Sequence, residues 1–173
     1  EAVALLEPDS VTWCDGSAAE AQRLTDLMVE QGTLVALNSS KRPGSYLVRS
    51  DPTDVARVES RTFICSSHPE DAGPTNNWVD PTEMRETLRD LSRGAMRGRT
   101  LYVVPFSMGP LGSPMARSGV QITDSPYVVL SLHMMVRVST KVLDAIDEGA
   151  PWVKCLHTVG SPLAEDARDE AWP

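Results

Sequence analysis

The segment Ala56-Arg57-Val58-Glu59-Ser60-Arg61-Thr62 puts two guanidinium groups and a carboxylate just ahead of the apolar run Phe63-Ile64-Cys65. An arginine fork can grip a carboxylate or a phosphate through two parallel hydrogen bonds, which a lysine cannot do. Arg57 is therefore a candidate anion ligand, with Glu59 and Arg61 beside it as ion-pairing neighbours. The preceding Asp51-Pro52-Thr53-Asp54 has the chemistry of a turn. The plainer alternative is a solvated charged loop, because exposed ion pairs are common and weak.

A second stretch, Ser107–Ser118, holds glycines, prolines and Arg117, and could present backbone N–H groups to an anion. It is no phosphate-binding P-loop, since G-x-x-x-x-G-K-[ST] occurs nowhere in the chain. Gly and Pro after a strand also mark an ordinary turn, and Thr75-Asn76-Asn77-Trp78 reads first as turn chemistry too. Cys65-x-x-His68 and Cys155-x-His157 supply four zinc-type ligands, but the second spacing is too tight for a usual structural site. Both cysteines sit in apolar strand-like runs, so buried reduced thiols are the better expectation and no metal ligand is assigned. His133, among Leu132, Met134 and Met135, reads as a core or interface histidine. There is no G-x-S-x-G elbow, and the chain holds no self-contained catalytic centre.

These residues need a frame. Ser17 can cap a helix over 18–31 that Gly32 stops. Asp80-Pro81-Thr82-Glu83 is a cap, a first-turn proline and an acidic third position, opening a helix with Met84, Leu88 and Leu91 on one face. A third helix starts at Asp124-Ser125-Pro126, and a short one, 142–148, follows Ser139-Thr140. Strand patterns run over 33–37, 45–48, 62–65, 100–105, 120–123 and 152–157. Strands interleaved with helices predict an α/β fold, a mixed sheet with flanking helices.

At 173 residues the chain has the length of one domain, and a net charge of −8 makes it acidic. Lys and Arg balance Asp and Glu only over residues 41–103, with ten basic against nine acidic side chains. That distribution argues against general nucleic-acid binding and suits a small anion held at a local arginine site. No apolar run approaches the roughly 18 residues a membrane span requires. Three cysteines, an odd and sparse set, point to a reducing, cytoplasmic setting.

Several further segments stand in a particular order: Lys41-Arg42-Pro43-Gly44-Ser45-Tyr46, Gly73-Pro74-Thr75-Asn76-Asn77-Trp78, Gly94-Ala95-Met96-Arg97-Gly98-Arg99-Thr100, Gln121-Ile122-Thr123-Asp124-Ser125-Pro126 and Trp152-Val153-Lys154-Cys155-Leu156-His157. With the 56–62 segment they resemble the amino-terminal region of the GTP-dependent phosphoenolpyruvate carboxykinases, in an actinobacterial-like form. The resemblance implies a two-domain enzyme that interconverts oxaloacetate and phosphoenolpyruvate using GTP and manganese or magnesium ions, a cytoplasmic monomer acting in gluconeogenesis. It implies that 56–62 is the substrate loop, with Arg57 contacting the substrate's anionic groups and Glu59 and Ser60 gating the loop.

The resemblance also implies that the nucleotide pocket and the metal ligands lie beyond Pro173. On that reading residues 1–173 form one incomplete domain, the substrate side of the cleft, inactive alone and missing a carboxy-terminal nucleotide domain as its partner. The alternative, from another class, is a non-catalytic anion-binding or interaction module.

Overall fold

The protein is described by a computed structural model over residues 1–49 and 58–161. In chain order its elements are α1 (Ala2–Leu6), β1 (Ser10–Trp13), α2 (Ala18–Glu30), β2 (Val35–Ala36), β3 (Tyr46–Leu47), a 3₁₀ turn (Glu59–Arg61), β4 (Phe63–Ile64) and a second 3₁₀ turn (Pro69–Ala72). There follow β5 (Asn77–Trp78), α3 (Pro81–Ser92), β6 (Thr100–Met108), β7 (Arg117–Thr123), α4 (Pro126–Met135), β8 (Arg137–Val138), α5 (Lys141–Asp147) and β9 (Trp152–Leu156). The contacts divide these into two compact units.

The larger unit, residues 8–49 and 96–159, is built on a mixed sheet in the order β1-β6-β7-β9, with β8 also pairing β6. β1 runs parallel to β6, β7 antiparallel to it, and β9 parallel to β7. The expected mixed sheet with flanking helices is the observed one. Central β6 is buried from Leu101 to Ser107. Tyr102 and Val104 join Cys14, Leu24 of α2 and Val129 of α4 in the core. Sequence patterning ends this strand at Pro105, but it continues to Met108. The carbonyl of Pro105 accepts from Ser139 N (3.1 Å), so its edge lacking an N–H also faces away from β7. On that side β1 has ended at Trp13, opposite Val103, and β8 begins opposite Phe106. A missing donor therefore breaks no ladder bond.

Two glycines are dictated by this packing. A Cβ on Gly16 would run into the Val138 carbonyl, and its φ of +76° is left-handed. A Cβ on Gly119 would sit 2.6 Å from the Phe106 ring and 2.9 Å from Val153.

The described residues of the smaller unit are 1–7, 58–95 and 160–161. α1 packs on α3, and Leu5 O accepts from Gly94 N (2.8 Å). The Asp80 carboxylate caps α3 by accepting from Thr82 N (2.7 Å) and Glu83 N (3.3 Å), as its sequence predicts. Those backbone donors hold the Asp80 carboxyl below its ordinary value. The apolar side of α3 is only half covered, with Leu88 42% exposed. β4 and β5 form a short parallel pair, Phe63 opposite Asn77 and Ile64 opposite Trp78.

Candidate functional site

Arg57 lies outside the described residues. Glu59 and Ser60, its neighbours in the candidate loop, form the exposed start of the first 3₁₀ turn. The turn is closed by Arg61 N to Val58 O (3.0 Å) and Thr62 N to Glu59 O (3.2 Å). The Thr62 hydroxyl adds a bond to Val58 O (2.7 Å). From β5, the Asn77 carboxamide Nδ2 donates to Glu59 O (2.7 Å) and Thr62 O (3.1 Å). Behind it the Trp78 indole donates to Ser66 O (3.0 Å), and Asn76 Nδ2 to Ala72 O (2.7 Å).

The result is an open polar cleft of about 380 Å³, lined by Glu59, Ser60, Thr62, Thr75, Asn76 and Asn77. Carboxylate, hydroxyl and carboxamide groups together can accept from and donate to a small polar ligand. The structure thus brings the candidate loop residues Glu59 and Ser60 onto one surface with Thr75–Asn77. Sequence reading treated those as separate turns. Nothing in the sequence signals the pairing, since β5 is two residues long and is a strand only by its partner β4.

The other candidates take structural parts. In the 107–118 loop, Arg117 spends its guanidinium on Ala116 O (2.9 Å) and Pro114 O (3.4 Å). Ser107 Oγ donates to Gly109 O (3.0 Å). His133 bonds Glu20 Oε2 through Nε2 (3.0 Å) and is largely buried, as a core histidine should be. Glu20 was not foreseen. It stands at the third position of α2, whose cap Ser17 accepts from Glu20 N (3.1 Å). Its carboxylate turns back to accept from Gly16 N (3.1 Å) and Asp15 N (3.3 Å). Burial first, then Glu20, pushes the adjacent Cys14 thiol up to about 12, which makes it a poor nucleophile.

All three cysteines are free. Cys14 is buried and Cys155 partly so, but Cys65 is exposed, contrary to the expectation of a buried thiol. The strand it was assigned to ends at Ile64, which leaves Cys65 in the following loop. Among the described residues no three His, Cys, Asp or Glu side chains converge where a metal could sit.

A second unforeseen group lies at the end of β7. The helix start read at Asp124-Ser125-Pro126 is observed, with Ser125 Oγ capping α4 by accepting from Val128 N (3.4 Å), and Asp124 itself is buried. Asp124 accepts from Arg99 Nη1 (2.6 Å), Thr158 Oγ1 (2.9 Å) and Val159 N (3.0 Å). Beside it the Thr123 hydroxyl accepts from Ser125 N (3.1 Å) and meets His157 Nδ1 (2.9 Å). These bonds tie the ends of β7 and β9 together. Among the described residues no helix is long and apolar enough to cross a membrane.

A family model described as phosphoenolpyruvate carboxykinase N-terminal domain matches residues 1–173. The chain is 55% identical over its whole length to a phosphoenolpyruvate carboxykinase [GTP] of Corynebacterium efficiens. It is 54% identical to that of Chlamydia trachomatis and 51% to that of Neocallimastix frontalis, again over 173 residues. The chain spans 28% of the length of the first and third and 29% of the second.

Proposed function

Because the chain belongs to the phosphoenolpyruvate carboxykinase N-terminal domain family, we propose that it supplies the substrate wall of a GTP-dependent carboxykinase. The observation that carries this reading is the match to the family over all of residues 1–173. The polar cleft over Glu59 and Ser60 supports it, because it lies in the segment that leads out of Arg57.

In this reading the complete protein converts oxaloacetate and GTP to phosphoenolpyruvate, GDP and CO2 as a cytoplasmic monomer. Arg57 grips the substrate's anionic groups, and Glu59 and Ser60 gate the loop that keeps water from the enolate. A divalent manganese or magnesium ion and GTP supply charge neutralisation and the phosphoryl group. Their ligands are assigned to polypeptide outside this chain, and so is the nucleotide domain that completes the cleft. Residues 1–173 then act as one substrate-side region.

The test is phosphoenolpyruvate formation by the full-length protein, assayed with oxaloacetate, GTP and manganese, against its Arg57→Ala variant. Losing a charge-assisted bidentate contact should cost on the order of 2–4 kcal/mol of transition-state stabilisation. A change in kcat/KM below about threefold would reject the clamp role of Arg57.

A further inference from the structure

Among the residues lining the cleft, Asn77 directs its carboxamide nitrogen at the backbone of the loop from another strand. Asn77 sits on β5 opposite Phe63, where a β-branched or aromatic residue would normally serve the strand better. Its single carboxamide nitrogen instead reaches both Glu59 O (2.7 Å) and Thr62 O (3.1 Å), the two carbonyls that bracket the 3₁₀ turn. The turn's own closure uses Thr62 N, which also donates to Glu59 O (3.2 Å). Asn77 is thus the contact from another element that fixes the turn at both ends. Being exposed, it adds little to a core, so its effect falls on where the turn is held.

We infer that Asn77 is the positioning residue of the substrate loop. It staples the carboxy-terminal end of the loop to β5, and so sets where Glu59 and Ser60 stand when the loop acts. The inference rests on the carboxykinase reading of the loop, and it names a residue that touches the loop backbone and not the substrate. Decarboxylation of oxaloacetate breaks the bond between C3 and C4, releases C4 as CO2 and leaves the electron pair on the pyruvate enolate. The enolate oxygen then takes the phosphoryl group of GTP, giving phosphoenolpyruvate and GDP, or water protonates C3 and gives pyruvate and hydroxide. A loop held out of register admits water, and the products shift toward pyruvate.

The experiment uses the full-length protein with Asn77→Asp, Asn77→Gln and the unchanged sequence. Asp keeps the shape but loses both N–H donors and turns oxygen toward two carbonyls. Gln keeps the donors on a longer arm. The ratio of phosphoenolpyruvate to pyruvate formed from oxaloacetate, GTP and manganese should fall by roughly fivefold or more in Asn77→Asp. Gln should recover part of that loss. Amide hydrogen exchange at Arg61 and Thr62 should quicken in the same variant. Simple destabilisation would lower both products alike and leave the ratio unchanged.

An unchanged ratio in Asn77→Asp, from a parent protein that makes phosphoenolpyruvate, overturns the inference. A parent that makes none overturns the carboxykinase reading instead, and unchanged exchange at Arg61 and Thr62 then rejects the staple itself. Should Asn77→Asp fail to fold, Asn77→Ala, which removes both donors, carries both readouts, and parental values for both reject the positioning role.

Discussion

His157 stands just past β9, its Nδ1 against the Thr123 hydroxyl, which already accepts from Ser125 N. Burial lowers its pKa from the ordinary 6.5, with Asp124 opposing more weakly. A folded value below the unfolded one means that the unfolded chain binds more protons in the interval between them. The stability tied to neutral His157 is full above about pH 6.5 and is lost as pH falls through the folded value. Urea midpoints of the parent should therefore drop between about pH 7.5 and about pH 5 more steeply than those of His157→Gln. Asp15 and Asp80, held below 3.8 by hydrogen bonds, titrate outside that window. Equal slopes for the two proteins would show that His157 carries no such linkage.

At this scale the sequence was legible where chemistry is local. Ser17, Asp80 and Pro81 mark helix starts by their own side chains and show as such. Glu20 and Asn77 were not legible, because their partners His133 and Glu59 lie 113 and 18 residues away. Neither distance leaves a trace in spacing.

At the scale of elements, β6 is the axis of the larger unit, and Gly119 is where β7 passes closely between it and β9. Phe106, Gly119 and Val153 stand in one row across β6, β7 and β9. The row has no room for a methyl group, since the Phe106 ring would lie 2.6 Å from it. Gly119→Ala should destabilise the chain by roughly 1–3 kcal/mol through overpacking, read as a lower urea midpoint with an unchanged m-value. Combining it with Phe106→Leu should return part of the loss, because the smaller side chain vacates the contact. A loss from Gly119→Ala that Phe106→Leu leaves untouched would place its cause at Val153 or in the backbone.

Helices here were easier to read than strands. α2, α3, α4 and α5 appear within a residue or two of their patterns, the first three opened by a side-chain cap. β1, β5 and β8 escaped notice, being at most four residues long and held by partners far along the chain. Their pairing, and not their composition, makes them strands.

At the scale of the molecule, the proposed function sets a limit on what 173 residues can bind. The cleft over Glu59 and Ser60 is open and polar, and the net charge of −8 works against an anionic substrate at long range. Among the described residues nothing converges to hold a divalent cation that would offset that charge. Large apolar side chains also stand exposed, Trp13 at 59% and Met134 at 80% among them.

Titrating the 173-residue chain with phosphoenolpyruvate should therefore give a Kd weaker than about 10 μM, or roughly −7 kcal/mol. The full-length protein with manganese should bind more tightly, because the second half of the cleft contributes without a further ordering cost. Calorimetry on both proteins decides the matter. Tight binding by the 173 residues alone, abolished by Arg57→Ala, would mean that the anion site is complete within this chain. That result would favour the independent anion-binding module over the substrate wall of a larger enzyme.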